Sequence, residues 1–519
     1  MLEPVPVPRD ADHLLVSGAQ MAQLEQQLFA SGLPVEALME KAALLVARHL
    51  LDHEPLQAGV LVLVGPGHNG GDALVVAREL HLAGVAVRIW SPFERHKPLT
   101  AAHLGHGRWL GIPLLQEAPD PADVALWIDG LFGIGQRQGP GDAIEYLLLA
   151  RQQERPHHLL AVDVPTGLCA DRGICLGAGA AVAHCTTTIG LVKTGLVQDP
   201  ALAYVGQLVR LDLGLPPGLL AGLPANQPLA LGPKDLQAAA SKPAASKYQR
   251  GRLLVIAGSS TYQGAAALAL AGASSSGCGS LRAALPAPMG QSLWQQMPHV
   301  VVNQELGCSP AGDLLLEGLT GPTLERLDAV LIGPGIGASS GASCNAGSGP
   351  GGLEDWQPLQ AFEGLLVIDA DGLNRLSQMD GGGLAWLQQR RGATWLTPHS
   401  GEFARLFPQW AALPPLEAAQ QAAQASGASV LLKGARSIVA AADGRRWQLL
   451  KANPRAARAG LGDVLAGYAA GRGASAGGDG QILAAAALDH ALAGCQLNQP
   501  SPPEVAAILA AGTAGPVSN

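Results

Sequence analysis

Short aliphatic runs alternate with segments of helical length along the first part of the chain. Residues 15–214 contain four such runs, each rich in valine, isoleucine and leucine, at 59–65, 85–90, 124–130 and 158–164. Runs of this length and composition are typical of strands that are buried on both faces of a parallel sheet. Because segments with helical spacing, such as residues 71–83 and 142–153, lie between them, the pattern predicts a doubly wound α/β sheet.

A second series with the same texture fills the C-terminal half. Its aliphatic runs lie at residues 252–258, 329–335, 365–372, 394–399 and 429–435. An alanine-rich stretch at 265–287 predicts a buried helix followed by a strand. The intervening residues 213–250 are dense in proline and glycine, which interrupt regular structure. We therefore place a boundary near Pro224 and predict two domains, residues 12–224 and 225–514.

Composition and charge exclude several classes of protein. Hydrophobic residues make up 48% of the chain, which suffices for a buried core and argues against disorder, apart from a small, polar, flexible insertion at 337–352. A net charge of −8 argues against a general nucleic-acid binder. We expect no membrane span and no signal peptide. Seven scattered cysteines, without a CxxC pair, favour reduced thiols over disulfides or a zinc site. We therefore expect a cytoplasmic protein that binds neither nucleic acid nor membrane.

The four strands predicted in the N-terminal half all end in turns rich in glycine and aspartate. In an open parallel sheet the ligand lies beyond the carboxyl ends of the strands, so we expect these turns to converge. Glycines at the start of a helix let backbone N–H groups approach a phosphate, although an ordinary tight turn looks the same. The candidate binding residues after the first and third strands are Asn69, Gly70, Gly71, Asp72, Gly133, Ile134, Gly135, Gln136 and Arg137.

Other polar side chains in this half are candidate ligands for ions. Asn69, Asp129 and Thr166 offer only oxygen ligands, which suits potassium or a similar hard cation better than zinc. Lys193 lies in a later turn that contains glycine, where it either meets a phosphate or is an ordinary solvated lysine.

Taken in order along the chain, these segments resemble the NAD(P)H-hydrate epimerase family. The matching motifs are LMEKAA at 38–43, HNGGDA at 68–73, DGLFGIG at 129–135 and DVPTG at 163–167, with departures at Ala43, His68, Ala73 and Thr166. The resemblance implies a Rossmann-like domain that interconverts the R and S forms of NAD(P)H hydrated at the nicotinamide ring. It also implies that Asp163 binds the substrate and moves its proton, and that loops 69–72 and 133–137 hold phosphates and ribose. The implied potassium ligands are Asn69, Asp129 and Thr166.

The most specific pattern in the C-terminal half is AGLGDVLAG at residues 459–467. Small residues followed by an apolar helical run predict a turn into a helix, and the N–H groups of residues 460–463 could bind an anion there. Asp463 would then lie beside a transferring phosphoryl group, as the base for an attacking hydroxyl. A plain Gly-Asp helix cap is the alternative.

Five other strand-end motifs accompany this pattern, at residues 258–265, 333–337, 369–374, 397–402 and 433–437. The series resembles the ribokinase-like superfamily and, within it, the ADP-dependent NAD(P)H-hydrate dehydratase family, with departures at Cys278 and at residues 453–458. The resemblance implies a ribokinase-like α/β sandwich. ADP, with magnesium on its phosphates, would phosphorylate the ring hydroxyl, and the ring nitrogen would then expel phosphate.

The same resemblance assigns residues to substrate and nucleotide. Asp463 would activate the hydroxyl. The hydrate would contact Ala265, Gly335, His399 and Asp463. The adenine nucleotide would contact Lys433, Gly434, Ala435, Arg436, Ser437 and Gly462. Together the two resemblances imply a bifunctional repair enzyme whose ligands are NAD(P)H hydrates and ADP, and we expect a homo-oligomer.

Other interpretations stay open. The C-terminal half could be a small-molecule kinase of the ribokinase superfamily, joined to a non-catalytic N-terminal nucleotide-binding module. A two-domain dehydrogenase is disfavoured because we find no complete Rossmann fingerprint. A purely structural protein would leave two sets of strand-end motifs unexplained.

Overall fold

The computed structural model describes residues 6–235, 246–337, 353–379, 381–451 and 453–512. The chain divides into two compact units, one spanning Pro8–Pro228 and the other formed from Leu229 onwards together with the segment that ends at Val7. Each unit is built around its own largely parallel sheet, which confirms the predicted α/β class. Apart from Gly337, the predicted insertion at residues 337–352, which includes Cys344, lies outside the described residues.

The first unit is a doubly wound sheet with helices between its strands. Its strands are β1 (Leu15–Val16), β2 (Val60–Val64), β3 (Val87–Trp90), β4 (Leu114–Leu115), β5 (Leu126–Gly130), β6 (Leu159–Val162), β7 (Cys185–Ile189), β8 (Val192–Lys193) and β9 (Gln207–Leu211). Its helices are α1 (Gly18–Ala30), α2 (Val35–His53), α3 (His68–Leu82), α4 (Pro98–Trp109), α5 (Asp142–Glu154), α6 (Leu202–Val205) and α7 (Pro217–Ala221).

Seven of these strands form one parallel sheet in the order β4-β3-β2-β5-β6-β7-β9, while β1 pairs with β8. The strand order changes direction between β2 and β5, and ligands usually bind beyond the carboxyl ends of strands at such a point. All five side chains of β2 are buried, because its VLVLV run is covered on both faces. The segments that begin at Gly65 and Leu131 therefore border the expected crevice.

The second unit contains a larger sheet. Its strands are β10 (Leu229–Leu231), β11 (Arg252–Ile256), β12 (Ser280–Pro286), β13 (Val301–Leu306), β14 (Ala329–Ile332), β15 (Leu365–Ile368), β16 (Thr394–Leu396), β17 (Ser429–Leu432), β18 (Ile438–Ala440) and β19 (Arg446–Leu449). Its helices are α8 (Gln263–Ser275), α9 (Ala287–Leu293), α10 (Gly321–Leu324), α11 (Leu353–Ala361), α12 (Asp371–Ser377), α13 (Gly383–Gln388), α14 (Ser400–Leu406), α15 (Pro415–Ser426), α16 (Leu461–Ala476), α17 (Gly480–Cys495) and α18 (Pro502–Ala511).

The ten strands are ordered β10-β19-β18-β17-β16-β15-β14-β11-β12-β13, and only the pairs β17–β18 and β18–β19 are antiparallel. Alternate side chains of β11 enter two separate cores: Leu253 and Val255 pack with α8, α16, α17 and α18, whereas Leu254 and Ile256 pack with α11 to α15. The sheet is therefore the middle layer of an α/β sandwich. Its strand order changes direction between β11 and β14.

All nine predicted aliphatic runs form strands, as does the end of the alanine-rich stretch. The pattern missed several strands of two to four residues, the longer strands β9 and β13, and the polar strand β7, whose sequence is CTTTI. The hydroxyls of Thr186 and Thr187 donate to the carbonyls of Val205 and Ala161, which satisfies them inside the core. In the part of the chain that the structure describes, no helix has both the length and the apolar character required to cross a bilayer.

Candidate active sites

A cavity of about 780 Å³ opens at the carboxyl ends of the strands in the first unit. Eight predicted binding residues line it: Asn69, Asp72, Gly133, Ile134, Gly135, Gln136, Arg137 and Asp163. The convergence expected from the topology is present, since a Cβ on Gly133 would lie 3.3 Å from both Asn69 Oδ1 and Asp163 Oδ2.

The first predicted loop belongs largely to helix α3. This helix begins at His68, three residues earlier than the sequence pattern predicts, so residues 69–72 form its first turn. Gly70 lies so close to the preceding turn that a Cβ would stand 2.1 Å from the Gly65 carbonyl oxygen. A Cβ on Gly71 would stand 2.7 Å from Met39 Cε. Gly70 and Gly71 therefore allow the close packing beneath the cavity, while Asn69 and Asp72 line it.

Asp163 has a constrained backbone and a buried ion pair. Its φ of +68° lies in a region that non-glycine residues seldom adopt. The ammonium of Lys193 donates to Asp163 Oδ1, and the Ile189 N–H donates to the same oxygen at 3.2 Å. Lys193 is only 1% exposed and also donates to the Ile189 carbonyl. Both sequence interpretations of Lys193, as a phosphate ligand or a solvated lysine, are therefore wrong, because its charge is paired inside the core.

Two of the predicted potassium ligands, Asp129 and Thr166, contact each other, and the third, Asn69, lines the cavity. Asp129 and Thr166 are fully buried, and the Thr166 hydroxyl and N–H donate to the Asp129 carboxylate at 2.7 and 2.8 Å. Burial raises the pKa of Asp129 to about 6, although these hydrogen bonds lower it. Asn69 Nδ2 is buried and has no hydrogen-bond partner among the described residues. Exchanging the nitrogen and oxygen of the Asn69 amide would place an oxygen at this position. Together with the oxygens of Asp129 and Thr166 it would give an all-oxygen set of ligands, which fits a hard monovalent cation.

The cavity also contains a carboxyl group that sequence reasoning missed. Glu25, on α1, lines the cavity near Asp163. Burial and the neighbouring Asp163 charge raise the pKa of Glu25 to about 7, while Lys193 lowers it. Burial, Asp163 and Glu25 likewise raise the pKa of Asp72. The cavity therefore holds carboxyl groups in different states of ionisation near neutral pH, which is the usual arrangement for acid–base catalysis.

The turn into a helix that was predicted in the second unit is present at the start of α16. Gly460 precedes this helix with a φ of +90°, a conformation that favours glycine. Asp463 lies in the first turn of the helix. Burial raises its pKa to about 7, with further upward contributions from Asp369, Asp371 and Glu402. Lys433 opposes them. At neutral pH this carboxyl can therefore both accept and release a proton.

Lys433 links several of the predicted residues. Its ammonium donates to Asp369 Oδ1 at 2.7 Å and lies 4.0 Å from Glu402 Oε2. A Cβ on Gly462 would lie 3.4 Å from the same nitrogen, so Lys433 reaches the first turn of α16. Asp369 Oδ2 is buried without a partner in the described residues. A buried carboxylate oxygen in this position fits a magnesium ion that arrives with a nucleotide.

The other predicted residues lie on neighbouring strand ends. His399 caps α14 by accepting from the Gly401 N–H at 2.9 Å, and it pairs with Lys433 in an isolated β-bridge. Ala265 and Gly335 adjoin each other after β11 and β14, since a Cβ on Gly335 would lie 2.7 Å from that of Ala265. Residues 433–437, which include Gly434, Ala435, Arg436 and Ser437, connect the antiparallel strands β17 and β18.

Two features of this site were not predicted from the sequence. Ala370, between Asp369 and Asp371, has φ +48° and ψ −120°, a conformation that strains any residue with a Cβ. The His490 side chain on α17 forms a hydrogen bond with the backbone of Leu461, the first residue of α16. Burial lowers the pKa of His490 to about 4, so it is neutral at pH 7.

Two family models match the chain. The model for the YjeF-related protein N-terminus matches residues 35–195, and the model for NAD(P)H-hydrate dehydratase matches residues 253–511. Two curated relatives carry the name bifunctional NAD(P)H-hydrate repair enzyme Nnr. The relative from Gloeobacter violaceus is 41% identical over 87% of this chain and 87% of its own, and the relative from Synechocystis sp. is 40% identical over 88% and 85%.

The chain is also similar to solved structures. The ADP/ATP-dependent NAD(P)H-hydrate dehydratase from Bacillus subtilis, co-crystallized with ATP/Mg²⁺, is 22% identical with a TM-score of 0.41. The match covers 52% of this chain and 90% of that chain.

Proposed function

Since the chain belongs to the family of bifunctional NAD(P)H-hydrate repair enzymes, we propose that its two units divide the repair between them. The first unit interconverts the R and S hydrates, and the second converts the S hydrate back to NAD(P)H with ADP or ATP as phosphoryl donor. The observation that carries the proposal is that each unit holds an aspartate beside its predicted loops, Asp163 next to the first cavity and Asp463 in the first turn of α16. Each group lies among residues that its family motif contributes.

In the first unit, the chain's own residues support the breaking and re-forming of the bond between the ring carbon and its hydroxyl. The Glu25 carboxyl, with a pKa of about 7, donates a proton so that the hydroxyl leaves as water. The ring nitrogen shares the resulting positive charge. Water then returns on either face and gives its proton to Asp163, whose carboxylate is positioned by Lys193. Proton exchange with solvent then returns Asp163 and Glu25 to their starting states.

The remaining residues of the first unit hold the substrate. The N–H groups at the start of α3 and residues 133–137 bind the phosphates and ribose. Asn69, Asp129 and Thr166 hold potassium, whose charge would offset the phosphate charges when the ion is bound.

In the second unit, Asp463 takes the proton from the ring hydroxyl as its oxygen attacks the terminal phosphorus of the nucleotide. The amides at residues 460–462 stabilise the charge on the moving phosphoryl group. The C–O bond to the new phosphate then breaks as the nitrogen lone pair forms a cationic C=N bond, and transfer of a proton from the adjacent ring carbon to the departing phosphate restores the dihydronicotinamide. Lys433 and the following four residues bind the nucleotide. Asp369 and the nucleotide phosphates would hold magnesium, which would neutralise part of the phosphate charge.

The test is incubation of the protein with a mixture of R and S hydrates, with and without ADP. Full recovery of NAD(P)H that requires ADP needs both activities. Recovery that stops at the S fraction would show that the first unit is not an epimerase. A stable phosphorylated product in place of free phosphate would show that the second unit is a kinase instead.

Variants of the two acid–base residues assign each activity to its unit. Asp163→Asn should stop recovery at the S fraction, and Asp463→Asn should slow dehydration by about 10²–10⁴-fold while R and S still interconvert. Loss of both activities in both variants, with the fold intact, would contradict two separate sites. The expected homo-oligomer is tested by sedimentation velocity.

A further inference from the structure

A cluster of metal-ligating side chains lies at the opposite edge of the first sheet from the proposed active site. His49 and Glu54 come from the C-terminal end of α2, and Cys185 is the first residue of β7. One ligand atom from each lies within 4.8 Å of the others. His184 and Leu159 border this group at the amino ends of β7 and β6. We call these three ligands the His49–Cys185 cluster.

The spacing of its two nitrogen and sulfur ligands matches that of a zinc ion. His49 Nε2 lies 3.6 Å from Cys185 Sγ. A tetrahedral zinc ion with a Zn–S distance of about 2.3 Å and a Zn–N distance of about 2.0–2.1 Å holds sulfur and nitrogen about 3.6 Å apart. A single ion can therefore bind both atoms without movement of either side chain toward the other.

The carboxylate of Glu54 is held beside this pair by a hydrogen-bonded histidine. His184 Nε2 lies 2.8 Å from Glu54 Oε1, and His184 Nδ1 lies 2.9 Å from the Leu159 carbonyl oxygen. The carbonyl fixes the orientation of the ring, so His184 orients Glu54 as the second layer of a metal site does. The other oxygen of Glu54 is left to act as a ligand.

The cluster is protected but reachable. Cys185 is 2% exposed, whereas His49 is half-buried. Uptake of a divalent ion would break the S–H bond of Cys185 and release its proton to solvent as the sulfur–metal bond forms.

We propose that the His49–Cys185 cluster binds one zinc-class divalent cation through His49 Nε2, Cys185 Sγ and a Glu54 oxygen, with water as the fourth ligand. Thiolate and imidazole together select zinc over the hard cations that suit the oxygen ligands at the other edge. The ion joins the end of α2 to the sheet. Met39 of the same helix contacts the turn beneath the cavity, about 15 Å along the helix axis, so the ion steadies a helix that forms one wall of that cavity.

The sequence prediction of no zinc site rested on local spacing. His49 and Cys185 are 136 positions apart, so no short motif contains both. Although His184 precedes Cys185 directly, its ring contacts Glu54 and a backbone carbonyl. Only the packing of α2 against β7 brings the ligands together.

The test titrates Zn²⁺ into the full-length, chelator-treated protein in competition with a metallochromic indicator, and repeats the titration with Co²⁺ to record its absorption spectrum. We expect one tight equivalent, a near-ultraviolet thiolate-to-cobalt band and the intense visible bands of four-coordinate cobalt. Cys185→Ser and His49→Gln should each weaken zinc binding at least about 100-fold, and His184→Gln about 10–100-fold. Cys495→Ser, which changes a cysteine in the other unit, is the matched control and should leave binding unchanged.

Folding of the variants is checked separately by circular dichroism and thermal unfolding. Zinc should raise the Tm of the wild type and of Cys495→Ser, but not that of His49→Gln, which changes a half-buried side chain. The absence of a saturable equivalent, or a cobalt spectrum without a thiolate band, would overturn the proposal. So would zinc affinity that is unchanged in folded Cys185→Ser and His49→Gln.

Discussion

The rate of dehydration should depend on pH through Asp463. Burial raises the pKa of this carboxyl to about 7, with the Asp369, Asp371 and Glu402 charges adding to the effect. As the base, Asp463 must be ionised to act, so the rate follows its ionised fraction. With a pKa of 7 that fraction is about 9% at pH 6 and about 91% at pH 8. We therefore expect dehydration to be about tenfold faster at pH 8 than at pH 6, whereas an unshifted aspartate would give a flat profile over this range.

The assay measures the initial rate of dihydronicotinamide recovery from purified S hydrate at saturating substrate and nucleotide, between pH 6 and 9. The phosphate groups of the nucleotide also titrate and contribute to the pH dependence of the rate. The residual rate of Asp463→Asn measures that contribution alone, because this variant still binds the nucleotide but lacks the base. This variant should be slower by about 10²–10⁴-fold. When the wild-type rate at each pH is divided by the rate of Asp463→Asn, the tenfold increase between pH 6 and pH 8 should remain.

A second variant tests the cause of the raised pKa. Asp371 is one of the charges that raise it, so Asp371→Asn should move the midpoint of the profile to lower pH. A corrected wild-type profile that is flat between pH 6 and 8 would refute the assignment of Asp463 as the base. A midpoint that moves to higher pH in Asp371→Asn would refute the electrostatic account.

Three other predictions concern the first unit. Glu25→Gln should slow epimerisation by about 10²-fold or more. It should also remove the fall in rate that the wild type shows as pH rises through about 7. Glu36→Gln, which changes an exposed carboxyl, is the control, and an unchanged pH profile in Glu25→Gln would exclude Glu25 as the acid. Gly70→Ala should lower the free energy of unfolding, measured by urea denaturation, by about 1–3 kcal/mol. Gly67→Ala is the control and should not lower it, because its Cβ would meet nothing within 4 Å. Equal effects of the two substitutions would contradict the packing argument. Lys193→Met should cost about 3–5 kcal/mol because it leaves Asp163 buried and unpaired, and a loss below 1 kcal/mol would show that water replaces the ammonium.

The pattern of aliphatic runs was sufficient to predict the two sheets and the strand ends where the candidate residues lie. The runs at 59–65 and 252–258 are strands because continuous Val, Leu and Ile can only be buried on both faces. The topology of parallel sheets then placed the following turns on one edge. The convergence of Asn69, Gly133 and Asp163 could be predicted for this reason, whereas their roles stay predictions.

Side chains whose surroundings come from distant segments could not be placed in this way. Glu25 lies on a helix with many polar residues, and an acidic side chain there has the same local sequence whether it faces water or a cavity. The burial of Lys193 could not be predicted because its partner Asp163 is 30 positions away. Residues 65–70 have the GxGxxG spacing of a dinucleotide-binding turn. The complete fingerprint also has an acidic residue after the next strand, whereas here that strand ends at Trp90 and Ser91 follows it.

The backbone at Ala370 sets stability against activity in the second unit. Its conformation, with φ +48° and ψ −120°, is one that glycine adopts freely, and relief of such strain is worth roughly 1–3 kcal/mol. Selection for heat resistance alone would therefore favour Ala370→Gly. Yet this turn separates Asp369 from Asp371, both of which raise the pKa of Asp463. Glycine would make the backbone between them more flexible, so the positions of the two carboxylates would be less well defined. The Ala370→Gly variant should therefore have a higher Tm than the wild type and a lower rate of dehydration.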